Sequence, residues 1–129
     1  MFNQSYQFKF KTAHSLETRK SKADFAKGKY PSRILIIVEA MDTDTRLKDN
    51  GSMKFIVPED FLVSDMMYEI RKKMNKNPSN TITNTDALFI LVNGNIMPNM
   101  ASPMSSIYDS YKDEDDILYL LLTCENTFG

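Results

Sequence analysis

The chain alternates between unbroken apolar runs and stretches whose apolar positions recur at three- and four-residue steps. Ile34-Leu35-Ile36-Ile37-Val38 is continuous, largely β-branched and bounded by turn signals, the pattern of a strand covered on both faces. Met41 to Gly51 is polar and ends in Asp49-Asn50-Gly51. Asn-Gly favours a hairpin, so Met53 to Val57, closed by Pro58, reads as an antiparallel partner strand. Val63, Met66, Met67, Ile70 and Met74 share one face of a helix predicted over Phe61 to Asn75. Asp60 and Asp65 near its start and Arg71, Lys72, Lys73 and Lys76 near its end complement the helix dipole. Ala87 to Val92 and Ile117 to Leu122 give two further apolar strands, with a tight turn at Asn93-Gly94 and a short helix over Ser105 to Tyr111.

Ahead of the first strand, Phe8 to Lys29 reads as helical, with Leu16, Ala23, Phe25 and Ala26 as sparse apolar positions. His14 or Ser15 would open its second part, Thr12 is a candidate cap, and Gly28 reads as the stop. Pro31 forces Tyr30 into an extended conformation. The order is helix, helix, strand, strand, helix, strand, short helix, strand. A long helix between two strand pairs packs across one face of a four-stranded sheet. The first and fourth strands, apolar throughout, belong side by side in its middle, and the second at an edge. The expected class is α+β, a four-stranded mixed sheet in the β-grasp arrangement with helices in front. One domain over 1–129 is expected, divided into a helical extension at about 5–28, a core at about 33–124 and a tail at 125–129.

Size and composition fit that reading. A chain of 129 residues, 42% apolar and 26% charged, can bury a real core. It has no apolar run long enough to span a membrane. Met1-Phe2-Asn3-Gln4-Ser5-Tyr6 has no charged region leading into an apolar one, so no secretory signal is expected. The single cysteine, Cys124, precludes an intrachain disulfide and suits a reducing compartment. The net charge of −1 conceals +5 over residues 1–54 and −6 over residues 55–129. Such asymmetry either stitches the two halves together or attracts an acidic partner, and the sequence favours neither.

Candidate chemistry is sparse. His14 is the only histidine and nothing pairs it with Cys124, whose place at the end of an apolar strand suits a buried structural thiol. One Cys and one His do not make a metal site. Asp113-Glu114-Asp115-Asp116 lacks the alternation and glycine of a calcium loop and reads as a solvated acidic turn. Gly28, Gly51, Gly94 and Gly129 are scattered, so no phosphate cradle is expected. A pI near 5.8 argues against nucleic-acid binding. The methionine stripe of the long helix reads as core in preference to an exposed binding face, with Met66 at the boundary. No catalytic residue, metal or cofactor is expected.

Several segments together carry a resemblance. They are Lys29-Tyr30-Pro31-Ser32-Arg33-Ile34, Ile37-Val38-Glu39, Lys54-Phe55-Ile56-Val57-Pro58, Ile70-Arg71-Lys72-Lys73, Ala87-Leu88-Phe89, Val92-Asn93, Ile107-Tyr108, Lys112-Asp113-Glu114-Asp115, Leu118-Tyr119 and the terminal Glu125-Asn126-Thr127-Phe128-Gly129. In this order, from about Phe8 to Gly129, the chain resembles the autophagy ubiquitin-like modifiers, the family of the microtubule-associated protein light chain and the GABA-receptor-associated protein. The resemblance implies a ubiquitin-like fold with two extra N-terminal helices and no enzyme activity. It implies that Gly129 is joined to phosphatidylethanolamine by conjugation enzymes, with a processing cysteine protease as a further partner. It implies a cytoplasmic monomer that moves to the autophagosome membrane when lipidated. There it would recruit receptors and adaptors carrying aromatic-x-x-aliphatic motifs.

Such a peptide would add as a strand beside Lys54-Phe55-Ile56-Val57. By position, its aromatic pocket would involve Leu35, Ile37, Lys54, Ile56 and Ile117. Its aliphatic pocket would involve Phe55, Val57, Pro58, Phe61, Val63 and Met66. Arg33, Lys54 and Arg71 would pair with acidic flanking residues. Periodicity alone would assign these apolar side chains to the core. The chain departs from the family pattern at Leu35 (usually proline), Ile117 (usually phenylalanine), Ala26 (usually a larger aliphatic, for which Phe25 would compensate) and Glu69 (usually aliphatic). An insertion falls roughly within Asn77 to Thr85. The other functions considered are a non-covalent scaffold or cytoskeletal and trafficking adaptor, and thiol chemistry at Cys124.

Overall fold

The computed structural model describes residues 6–41, 47, 51–77 and 87–124. Asn50, most of the insertion and the tail containing Gly129 lie outside them.

Alternation along the strands builds two cores on one sheet. Strand β1 (Arg33–Ala40) pairs antiparallel with β2 (Ser52–Pro58) and parallel with β4 (Leu118–Thr123). Strand β3 (Phe89–Val92) completes the order β2-β1-β4-β3. The two strands built on the unbroken apolar runs are therefore central, as expected, and β2 is an edge. Ile34, Ile36, Val38, Leu118, Leu120 and Leu122 face the side covered by α3 (Val63–Asn75) and α4 (Met104–Tyr111). Leu35, Ile37, Tyr119 and Leu121 face the other side, with Phe8, Ala23 and Ala26 of the N-terminal region. Burial on both faces is what an unbroken apolar strand requires.

The first extra helix, α1, spans Lys9–Ala13, and the second, α2, spans Leu16–Lys29. Ser15 opens α2, its hydroxyl accepting the Thr18 N–H at 3.1 Å. Thr12 is not a cap: it lies inside α1 and donates to the Lys9 carbonyl. Gly28 is not the stop either. The helix runs through Lys29 and closes where the Tyr30 N–H reaches the Ala26 carbonyl at 2.8 Å, because Pro31 denies Tyr30 a helical conformation. The long helix begins at Val63 rather than Phe61, with the Asp65 carboxylate accepting the Leu62 N–H at 2.9 Å. Met66 is fully buried with Val63, Ile70 and Met74, not at the boundary. Asn93 and Gly94 both have positive φ and form the predicted tight turn, closed by the Asn95 N–H on the Val92 carbonyl.

Two carboxylates join the extension to the sheet, and the sequence singled out neither. Glu39, 1% exposed, accepts the Lys9 and Phe10 N–H groups at 2.7 and 2.9 Å and so caps α1 from β1. It also accepts the hydroxyls of Tyr6 and Ser52. The acidic run is not a solvated turn. Asp115 is fully buried, and its carboxylate accepts from the Arg19 guanidinium, the Tyr119 hydroxyl and the Ile117 N–H. Lys11 pairs with Asp113 at 2.7 Å. The basic half and the acidic half are thus stitched together across the fold. Cys124 is buried, as its strand context suggested.

Candidate functional site: the β2 edge and the cavity beside it

The hydrogen-bond phase of the β1–β2 ladder decides what β2 presents to solvent. The Glu59 N–H bonds the Ser32 carbonyl at 3.1 Å, just beyond the paired positions Arg33 and Pro58. Antiparallel pairs alternate between bonded and non-bonded. The backbones of Val57, Phe55 and Met53 therefore turn inward to Ile34, Ile36 and Val38, while those of Lys54 and Ile56 turn outward. The far side of β1 agrees with this phase: the Met41 N–H bonds Leu122 of β4, so the odd-numbered residues of β1 face β4. Pro58, which has no N–H to give, sits at an outward-facing position, as an edge proline must.

The side chains of Lys54 and Ile56 lie opposite Ile37 and Leu35. These four residues line one side of a cavity of about 610 Å³ between the sheet and α2. Ala26 and Tyr30 line it from the helix side, and Lys22, Phe25 and Lys29 stand exposed around it. The Lys29 ammonium is 6.0 Å from the Phe25 ring centre and 5.5 Å from that of Tyr30. Of the predicted aromatic-pocket residues, Leu35, Ile37, Lys54 and Ile56 are brought together here. Ile117 belongs to the same apolar cluster but is fully buried and does not line the cavity.

The second predicted group is distributed differently. Val57, Val63 and Met66 are 5%, 1% and 0% exposed and belong to the core under α3. Phe55, Pro58 and Phe61 are half-buried. Phe55 packs against that core and carries the Lys73 ammonium 5.0 Å above its ring. Glu69 is also half-buried, with Lys72 at 3.5 Å. Among the predicted cations, Lys54 lines the cavity, Arg33 stacks on Tyr30 at 5.3 Å, and Arg71 is half-buried on α3, across the sheet. Ala26 and Phe25, which the resemblance brought in from the helical extension, do line the cavity, whereas Lys22 and Lys29 were not anticipated, although with Phe25 they recur at the three- and four-residue steps that put side chains on one helical face.

The family model described as "Autophagy protein Atg8 ubiquitin like" matches residues 18–129. The chain belongs to the Atg8 family. It is 40% identical over 120 residues to Autophagy-related protein 8 of Pichia angusta, covering 93% of this chain and 90% of that one. It is equally similar to Autophagy-related protein 8d of Arabidopsis thaliana, with 93% of each covered. The crystal structure of Trypanosoma brucei ATG8 superposes with a TM-score of 0.78 at 32% identity, over 96% of this chain and all of that one. Atg8 membership makes this a ubiquitin-like protein of autophagy. The β-grasp sheet, its covering helices and the N-terminal pair α1 and α2 are the Atg8 architecture.

Proposed function

We propose that this Atg8-family protein is a modifier conjugated through Gly129 to phosphatidylethanolamine on autophagosomal membranes. There it recruits cargo receptors and adaptors that carry aromatic-x-x-aliphatic motifs. The observation that carries the recruiting half is the pairing of an outward-turned backbone at Lys54 and Ile56 with a cavity beside it whose floor on the sheet, Leu35, Ile37 and Ile56, is apolar. A visiting strand gains main-chain hydrogen bonds from the edge and side-chain burial from the cavity, which is β-augmentation. Its aromatic side chain enters over Leu35, Ile37 and Ile56. Its aliphatic side chain, three residues after the aromatic and so on the opposite face of the visiting strand, rests on the half-buried Phe55, Pro58 and Phe61, with Val57, Val63 and Met66 beneath. Lys54, Arg33 and, across the edge, Arg71 favour acidic flanks.

The membrane half rests on family membership and on the chemistry of the Phe128-Gly129 pair. Glycine lets a conjugating enzyme approach its carboxylate closely. Among the described residues no helix is long and apolar enough to cross a bilayer, so attachment would come from the lipid. One diacyl lipid supplies two chains, enough for stable anchoring where one chain is marginal. The chain is then a cytoplasmic monomer that moves to the autophagosome when lipidated. It catalyses nothing itself and depends on conjugation enzymes and a processing cysteine protease.

Incubation with the conjugation enzymes, ATP and phosphatidylethanolamine vesicles tests the attachment. The wild-type chain should gain the lipid and Gly129→Ala should not. Failure of both alike would defeat this half of the reading.

A further inference from the structure

We infer that the surface formed by Leu62, Met97 and Met100 docks a basic amphipathic helix of a partner protein, at a place separate from the β2 groove.

Leu62, Met97 and Met100 are 38%, 51% and 47% exposed, three of the five large apolar side chains left outside among the described residues. Two segments distant in sequence bring them together. The Ser64 N–H donates to the Met100 carbonyl at 3.0 Å and the Val63 N–H to the Ser102 carbonyl at 2.9 Å, so the loop before α4 lies against the start of α3. Leu62 pairs with Pro103 in an isolated bridge. None of the three side chains belongs to either apolar core. Leu62 stands at the N-cap of α3, where a polar residue would serve the helix better. Neither the core nor the cap accounts for it, and grouped apolar side chains on an ordered surface mark a contact site.

Charge selects the partner. Residues 58–70 and 95–111, which build this side, contain Glu59, Asp60, Asp65, Glu69 and Asp109 and no lysine or arginine. Glu69 is engaged by Lys72, while Glu59, Asp60 and Asp65 are exposed on either side of Leu62. An apolar centre with an acidic rim is complementary to an apolar stripe flanked by lysine or arginine. Backbone chemistry sets the partner's conformation. The bonds between the loop and α3 take up main-chain groups of both segments, so a visitor that buries its own main chain here has to satisfy it internally, as a helix does. Methionine, unbranched and polarisable, adapts to the face of such a helix.

The test is calorimetric titration of the full chain with a synthetic helix of lysine and leucine, its leucines at the three- and four-residue steps of one face. A peptide of the same composition with its leucines scattered serves as the comparison. The ordered peptide should bind and shift the amide resonances of Ser64, Met97 and Met100. The scattered one should bind at least about tenfold more weakly. Leu62→Ser, which places a favoured N-cap residue at its position, and Met100→Ser, at an exposed loop position, should together weaken the ordered peptide by about tenfold and leave urea unfolding unchanged. Glu59→Gln with Asp60→Asn should weaken it and flatten its salt dependence. Ile56→Asp, which damages the β2 groove, should leave it unaffected, so failure here and failure of the groove are told apart. Equal binding of the two peptides, undiminished binding in the Leu62→Ser, Met100→Ser double variant, or absence of binding to the wild type would overturn the inference.

Discussion

Arg19 and Asp115 are 96 residues apart in sequence and 2.6 Å apart in space. The same Asp115 oxygen accepts the Tyr119 hydroxyl at 2.6 Å, and its other oxygen accepts the Ile117 N–H at 2.9 Å. Arg19 also donates to the His14 carbonyl and reaches Asp113 at 3.4 Å. Helix α2 is the wall of the candidate groove, so this network fixes the distance between that wall and the sheet. Removing one partner strands the other in a dry site, the costly way to break a buried pair.

Asp115→Ala should therefore destabilise the domain by about 3–5 kcal/mol in urea unfolding. Asp113→Ala, whose carboxylate is more exposed, should cost far less. Similar losses for both would remove the distinction between the buried and the surface partner.

Glu39→Ala should free α1 without dissolving the sheet. It leaves the Lys9 and Phe10 N–H groups without their acceptor, and bonds to a charged group contribute about 1.5–3 kcal/mol each. Hydrogen exchange at those two amides should accelerate while Ile36 and Leu120 stay protected. Unchanged exchange at Lys9 and Phe10 would show that Glu39 does not hold the helix.

Acid should loosen the same seam. Burial raises the Asp113 carboxyl, but the hydrogen bond and charge of Lys11, the Asp115 amide and Arg19 outweigh it and hold the group below its ordinary value. A depressed carboxyl stabilises the fold above the unfolded pKa of about 3.9 and loses that contribution as pH falls through the folded one. Burial and the Asp115 carboxylate push the Tyr119 hydroxyl far up. Its contribution is present below the unfolded value of about 10 and fades as pH rises beyond it. Stability measured against pH should decline at both ends. Lys11→Met should flatten the acid limb, and an unaltered limb would contradict the Lys11–Asp113 assignment.

Met66 and Ile56 separate core from groove. Met66→Ala, at a fully buried position, should cost about 2–5 kcal/mol of stability. Ile56→Ala, half-buried at the edge, should change stability much less and weaken the peptide instead. The reverse pattern would exchange the two roles.

Patterning made the sheet legible and left the seams hidden. Ile34 to Val38 and Ile117 to Leu122 are apolar at every position, and only central strands need that, so the order β2-β1-β4-β3 followed from burial alone. Asp115 gives no such sign. An acidic run resembles a solvated turn until Arg19, distant in sequence, is brought against it. Glu39 likewise sits in the odd-numbered phase of β1 with Leu35 and Ile37, and only the arrival of α1 explains a carboxylate there. Val63 and Met66 are apolar whether they line a pocket or fill a core, and their burial decides it. The resemblance already pointed to Ala26 and Phe25, whereas Lys22 and Lys29 carried only a helical-face signal, and recognising them as cavity lining needs the sheet against which that face is set.

The central claim is that β2 keeps an outward backbone ready for a visiting strand. Amide exchange, followed residue by residue with and without an acidic Trp-x-x-Leu peptide, tests it most directly. In the free protein the Phe55 and Val57 amides should be protected by β1 while those of Lys54 and Ile56 exchange readily; the peptide should slow Lys54 and Ile56 and leave Phe55 and Val57 as they were. A peptide that binds while the Lys54 and Ile56 amides remain fast would contradict the account.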